Sequence, residues 1–334
     1  MTRLCYISRA YRDRTTAGNK AKSDYEDILA GAGAVNLGLR RTYGGGAAAT
    51  FLRNLAGVAL FALRVRPADT IVLQYPVKKY FSLLCRLARM RGARTVALVH
   101  DLGSCRRRKL TVEQEMRRLG RADVVAATNP VMASWLVEQG LPAERIEALG
   151  LHDYLSAAVP PAAPASDLRT VAYAGSLNLR KNAFLLKMAE VDGVRVELYG
   201  SLRDYRPEHI CEHGFVEPDE FIAGAAGAWG LVWDGDSLDA CTGDWGGYLR
   251  LNTPHKSAFY LRAGLPLIVW SRSALAPIVR EQGLGLCVDS LRELPALLAS
   301  VSAARYASLR AAALRAGFAA SRGANLRALL ARLK

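Results

Sequence analysis

Short apolar runs of strand length alternate with amphipathic stretches from the start of this chain. In the first half, "RLCYIS", "DTIVLQYP", "RTVALVHD" and "VVAAT" are nearly continuous in apolar residues. Between them, "KAKSDYEDILAGAG", "FLRNLAGVALFALRV", "KKYFSLLCRLARMRG", "EQEMRRLGRAD" and "VMASWLVEQG" space their apolar positions three and four apart. Strands apolar on both faces and separated by helices predict a mostly parallel sheet covered on both sides. The alternation stops at "SAAVPPAAPASD" (156–167), rich in Pro and Ala and without periodicity, which reads as an interdomain linker. It restarts with "RTVAYAGS", "NAFLLKMAEV", "VRVELYGS", "WGLVWDG", "LPLIVWS", "ALAPIVREQG" and "LGLCVDS". The expected fold is therefore α/β: two doubly wound, Rossmann-like domains, 1–155 and 168–312. They are expected to face a cleft at the carboxyl ends of their strands, where such sheets bind ligands. The Ala/Leu/Arg-rich tail reads as helical, with 313–334 expected to cross back to the first domain.

One predicted helix starts with an unexpected charge. In "NTPHKSAFYL" Thr253 suits the N-cap, Pro254 the first helical position and Gly264 the stop. Its first turn carries His255 and Lys256 and no carboxylate, although the helix dipole disfavours a cation there by roughly 0.3–1 kcal/mol. A phosphate held on the helix-start amides would make the lysine favourable. The alternative is a solvated lysine whose stem covers apolar surface. A second basic helix start occurs in "AGSLNLRKNAFLL", where a strand runs through Gly175 and Ser176 towards Arg180 and Lys181. Two such starts in one domain would converge on one diphosphate, with Arg180 able to grip its oxygens in bidentate fashion.

Composition narrows the options. At 334 residues, the chain exceeds the length at which a single core stops growing. Cys5, Cys85, Cys105, Cys211, Cys241 and Cys287 show no metal or disulfide spacing and read as reduced thiols. The amino terminus does not read as a signal peptide, and the apolar run Leu55–Val65 is shorter than the roughly 20 residues that span a bilayer. A cytoplasmic protein is expected. The net charge of +15 is uneven: residues 1–155 hold 25 Lys/Arg against 13 Asp/Glu, the remainder 20 against 17. A basic first half suits an anionic partner, whether phosphorylated ligand, nucleic acid or membrane surface, unless it only reflects an arginine-rich proteome.

Further candidates sit at predicted strand ends. "GLVWDGDSLDACTGDWGGYLRLN" places Asp234 and Asp236 before a glycine-rich aromatic loop, where they could bind sugar hydroxyls, hold Mg²⁺, act as a base or simply make a turn. "ALVHDLGSCRRRK" puts His100 and Asp101 at a strand end of the first domain. Asp101 is a candidate base towards an acceptor hydroxyl, with a turn or capping role as the alternative. Thr15, Thr16, Gly18, Asn19 and Lys20 form a loop expected to close over a donor. Arg106 to Lys109 are consecutive cations, the usual sign of a solvated face.

These residues resemble a known family. The "WDGDS…NTPHKSAFYL" block, with "AGNKAKSDYEDIL", "IVLQYP", "LVHDLGSCR" and "NPVMASWL" in the same order, is similar to bacterial β-1,6-galactofuranosyltransferases and to the glucosyltransferase that extends glycans on streptococcal adhesins. The resemblance covers nearly the whole chain. It implies a GT-B glycosyltransferase using a UDP-sugar co-substrate; with the diphosphate charge met by Lys and Arg, no metal or cofactor is expected. The donor would lie mainly on the second domain, with a glycan acceptor, lipid-linked in one reading, on the first. It places Thr15, Thr16, Arg180 and Lys256 at the UDP, Phe215 near the base, and Tyr248, Asn252, His255 and Ser257 within the donor block. No ExxxxxxxE motif is visible, in keeping with an inverting reaction. A nucleotide-sugar 2-epimerase, a basic nucleic-acid-binding protein and an inactive sugar-binding relative remain as alternatives. No RRM, KH or helix-turn-helix signature supports the nucleic-acid reading, and no nucleic-acid partner is expected. The basic first domain also raises peripheral contact with the anionic inner face of a membrane.

Overall fold

The structure is a computed structural model. It describes all residues except 1–2, 12, 14–15, 77–79, 107–109, 176–177, 201–209 and 334, so Thr15, Ser176 and Arg107–Lys109 lie outside the described residues. The chain divides into two compact units, 1–149 with 325–334, and 150–324.

The first unit contains β1 (Leu4–Tyr6), β2 (Ala10–Tyr11), β3 (Val35–Asn36), β4 (Thr42–Tyr43), β5 (Thr70–Tyr75), β6 (Arg94–Val99), β7 (Val124–Ala127) and β8 (Ile146–Ala148). Six of them form a parallel sheet in the order β3-β1-β5-β6-β7-β8, and β2 pairs with β4 alone. The short β2/β4 ribbon has too few residues to show a period, and nothing in the apolar pattern announces it.

The second unit contains β9 (Thr170–Ala174), β10 (Arg195–Tyr199), β11 (Ile210–Glu212), β12 (Trp229–Val232), β13 (Leu267–Trp270) and β14 (Gly285–Val288). They are parallel in the order β11-β10-β9-β12-β13-β14, so the order reverses between β9 and β12. Alternate residues of these strands enter two cores, one on each face. Val171, Tyr173, Trp229, Trp233 and Trp270 pack with Phe184 and Met188. Ala172, Ala174, Val232 and Val269 pack with Phe221, Tyr260 and Leu261.

Three local expectations are corrected. The segment 156–167 does not stand free between units. The division falls at 149/150, and Arg262 and Arg310 donate to the carbonyls of Ser156, Pro161 and Ala162 within the second unit. The stretch after Asn182 is a 3-10 helix, Ala183–Glu190. There the Phe184 amide bonds the Gly235 carbonyl at 3.1 Å instead of the carbonyl one α-turn back. The helix around the Leu55–Val65 run is longer than that run, Ala47–Arg64. By length and composition alone it could cross a membrane, although Gly57, Val58 and Phe61 are buried in the domain.

Candidate active site

The puzzling helix comprises His255–Arg262, with Pro254 rather than Thr253 at the N-cap. Its stop is as expected: Gly264 has φ +72°, its amide bonds Leu261 O, and the Leu265 amide bonds Tyr260 O, closing the carboxyl end. Lys256 is not a solvated residue, its side chain being only 12 % exposed. Its Nζ lies 3.0 Å from Asp234 Oδ1, 3.2 Å from the Tyr173 hydroxyl and 3.2 Å from the Trp233 carbonyl, three acceptors for three N–H groups. It also stands 4.3 Å above the Tyr173 ring. The cation at the helix start is thus balanced by a buried carboxylate from the end of β12.

The second basic start converges on the same carboxylate. Leu179–Asn182 forms one helical turn, and the Asn178 side chain accepts from the Arg180 amide, occupying one of the groups expected to face phosphate. Lys181 Nζ is 3.7 Å from Asp234 Oδ2 and 5.9 Å from the Trp245 ring centroid. Arg180 is exposed. The two crossings of this turn with the loop after β12, Gly235 N to Lys181 O and Phe184 N to Gly235 O, hold Lys181 beside Asp234. Gly235 has φ +120°, and a Cβ on Gly246 would stand 2.4 Å from the Asp234 carbonyl, so this loop closes tightly only with glycine at both places.

The cluster lies where β9 and β12 end, the point at which strand order reverses and open α/β sheets place their ligands. Burial pushes the Lys256 ammonium down to about 8, with Asp234 opposing the shift and Lys181 adding to it. The Tyr173 hydroxyl is pushed well up, first by burial and then by Asp234. Cys241 is pushed up to about 12 by burial and is a core thiol.

The other expected residues fall in different surroundings. Gly175, with φ +142°, is exposed at the end of β9. Asp236 is exposed and held below the usual carboxylate range by the Thr242 hydroxyl. Tyr248 is buried in the helical turn Gly243–Tyr248. Asn252 is 9 % exposed, and its Oδ1 is buried without a hydrogen bond among the described residues. His255 Nε2 donates to the Asp153 carbonyl at 3.1 Å and its ring packs against His152 and Tyr154. Ser257 is fully buried with its hydroxyl on the Pro254 carbonyl, a helix-start role. Phe215 is 72 % exposed.

In the first unit, the expected donor loop is shorter than predicted. The helix begins at Ala17, so Gly18, Asn19 and Lys20 sit in its first turn. Thr16 donates to Asp13, and Lys20 pairs with Asp24 at 2.5 Å. Asp101 pairs with Arg106, and His100 Nε2 lies 2.8 Å from Gln74 Oε1.

Sequence reasoning missed Tyr173, Asn182 and the Trp233 carbonyl, which complete the Lys256 cage. The Asn182 amide bonds the Tyr173 hydroxyl, and both residues are buried. The available signal was a tyrosine hydroxyl in a strand apolar on both faces, a group that needs a partner. Also missed was a pocket of about 570 Å³ in the first unit, lined by Tyr6, Ser8, Glu26, Arg40, Arg41 and Tyr43. There Glu26 accepts from Ser8 and Tyr11, and burial raises its pKa. Among the described residues, Glu197, Cys211 and His213 at the β11 edge bring three ligating atoms within 4.8 Å, where the cysteine spacing suggested none.

Comparison with known proteins agrees with this architecture. Residues 4–151 match the profile of the glucosyltransferase 3-like N-terminal domain and 171–333 that of the C-terminal domain. The β-1,6-galactofuranosyltransferase WbbI of Escherichia coli (strain K12) is 28 % identical over 300 residues, 88 % of this chain and 87 % of that protein. Glucosyltransferase 3 of Streptococcus gordonii is 35 % identical over 113 residues, 33 % of each chain. The Anabaena HepE structure in complex with UDP and glucose superimposes with a TM-score of 0.61 at 13 % identity, covering 100 % of this chain and 99 % of that one. With a GT-B fold and both domain profiles matched in order, this chain belongs to the glucosyltransferase 3-like family and is a glycosyltransferase.

Proposed function

We propose that this enzyme transfers a hexosyl residue, galactofuranosyl or glucosyl, from a UDP-sugar to a hydroxyl of a cell-surface glycan acceptor, with inversion and without a metal. The observation that carries this reading is the convergence of Lys181 and Lys256 on Asp234 at the β9/β12 switch point, with Arg180 exposed beside them. One carboxylate against two lysines leaves net positive charge where a leaving diphosphate would develop its negative charge, and preorganised charge of this kind lowers the barrier. The two contacts of 3.2 Å that Lys256 makes to neutral acceptors are those a phosphate oxygen would replace, while Asp234 keeps the ammonium in place. Asn252 Oδ1, buried and unbonded, supplies an acceptor for a sugar hydroxyl. The names of the relatives support the sugar and nucleotide classes: one is a galactofuranosyltransferase, one a glucosyltransferase, and one was crystallised with UDP and glucose.

A thermal-shift and hydrolysis screen across UDP-, GDP-, TDP- and CMP-sugars tests the donor. Stabilisation and turnover with a UDP-hexose are expected, and indifference to every UDP-sugar overturns the reading. Activity is expected to survive EDTA; strict dependence on added Mg²⁺ removes the metal-free scheme. Asp101 is the proposed base, so Asp101→Asn should abolish transfer while preserving the UDP-induced rise in Tm. Retained transfer would assign the base elsewhere.

The pH dependence follows from Lys256. A bound diphosphate favours the ammonium, and in the free enzyme that ammonium loses its proton near 8. UDP affinity is therefore expected to be level below about pH 8 and to weaken above it, approaching about tenfold per pH unit if only the charged form binds. Calorimetric titration between neutral and mildly alkaline pH checks this, and a level profile removes Lys256 from the binding step.

A further inference from the structure

We propose that the first unit docks on an anionic lipid bilayer through the outer face of the helix Ala47–Arg64 and the exposed edge of the helix Phe81–Met90. A helix that presents an apolar face to solvent as well as to its own core calls for a second apolar surface. Here Gly57, Val58 and Phe61 are buried within the unit, yet Phe51, Leu52, Leu55 and Leu63 are 44 %, 63 %, 45 % and 77 % exposed. From Ala47 to Leu63 every exposed residue is alanine, leucine or phenylalanine. Leu52, Leu55, Ala59 and Leu63 recur three and four apart and form one outward stripe.

The neighbouring helix Phe81–Met90 packs against this one. Its Leu83 and Met90 are 41 % and 71 % exposed, and Arg86 falls on the same side between them. Half of the exposed large apolar side chains among the described residues thus lie on two packed helices. Clustering of that kind marks an interaction surface, whereas single exposed residues need no explanation.

Charge identifies the partner. Between Gly44 and Arg94 the one carboxylate is Asp69, which is buried and paired with Arg3. Arg64, Arg66, Arg86, Arg89 and Arg91 are exposed. Leucines and phenylalanine that enter the acyl boundary, rimmed by arginines for anionic headgroups, match the two forces that hold an interfacial helix on a bilayer. A nucleic acid would use the arginines and leave the leucine stripe in water. Because its inner face is built into the domain, the helix would lie on the membrane rather than cross it.

The test is flotation of the full chain with phosphatidylglycerol-containing vesicles and with pure phosphatidylcholine vesicles. The protein is expected to float with the first and not the second. Leu52→Glu/Leu55→Glu should lower partitioning about tenfold or more, with Tm and the UDP-induced shift unchanged. Arg86→Glu/Arg89→Glu should lower it about fivefold for each cation lost, an effect that added salt reproduces. Failure to float with either vesicle, or equal flotation with both, overturns the proposal. So does a dimer in sedimentation that Leu52→Glu/Leu55→Glu dissociates, which would give this face to a second copy. Salt-sensitive RNA binding indifferent to the leucine changes, without flotation, would give the arginines to nucleic acid and equally overturn it.

Discussion

Lys256→Ala is expected to lower kcat/KM about 100-fold, the scale of losing one preorganised donor to developing charge, roughly 2.7 kcal/mol or more. The residue has two roles that one substitution removes together. It would meet the diphosphate, and it also neutralises Asp234, whose side chain is 6 % exposed. Without it, Asp234 keeps the Tyr173 hydroxyl at 3.0 Å and, among the described cations, Lys181 at 3.7 Å, and turns from a partner of the lysine into a repulsive charge beside the nucleotide. The double variant Lys256→Ala/Asp234→Asn separates the roles. Removing both charges relieves the unpaired carboxylate, so Tm should recover towards that of the parent. Turnover should stay low, because the charge that meets the leaving group is still missing. Recovery of turnover together with Tm would show that Lys256 only balances Asp234, and unchanged kcat/KM in the single variant would remove it from the reaction.

Asp234→Ala is expected to lower stability by about 3–5 kcal/mol, the scale of leaving one member of a buried ion pair alone. Two lysines would then share the end of β12 with no carboxylate between them. The deficit should depend on pH with a definite sign. Burial has already moved Lys256 from its ordinary value of 10.5 down to about 8. The unfolded chain therefore holds that proton through a range in which the folded chain has released it, and stability attributable to this group rises between about 8 and 10.5. Loss of Asp234 lowers the folded-state value further and extends the window towards neutral pH. The variant should lie furthest below the parent near pH 7 and closer to it near pH 9. Urea denaturation at both pH values measures the difference. A deficit that stays constant would show that Lys256 does not depend on Asp234 for its charge.

The strands were legible because a parallel strand covered on both faces must be apolar nearly throughout, as "TIVLQY" and "TVAYA" are. The stop at Gly264 was legible because a left-handed residue after a helix favours glycine. Positions less bound to such local rules were not readable. The break between the turn Leu179–Asn182 and the 3-10 helix Ala183–Glu190 goes with the Phe184 amide bonding the carbonyl of Gly235, some fifty residues further on. Segment 156–167 has the composition of a free linker, but Arg262 and Arg310 hold it to the second unit. Its composition carries no sign of those partners.

In the candidate site, the order "AGS…LRKN…NTPHK" was enough to nominate Arg180, Lys181 and Lys256, because a cation in the first turn of a helix is unfavourable without an anion, there expected to be a bound phosphate; Asp234 was nominated separately, as a carboxylate at a strand end. The sequence by itself determined the two doubly wound sheets and the family, and it left Lys256 between an anionic partner and a solvated position. Only the tertiary structure decided that the anion is Asp234 and that Tyr173 and the Trp233 carbonyl complete the lysine's hydrogen bonds. The reason is that strand order is a property of the sheet. Residues 173, 234 and 256 become neighbours only when β9 and β12 lie side by side, and no local pattern in the chain records that pairing.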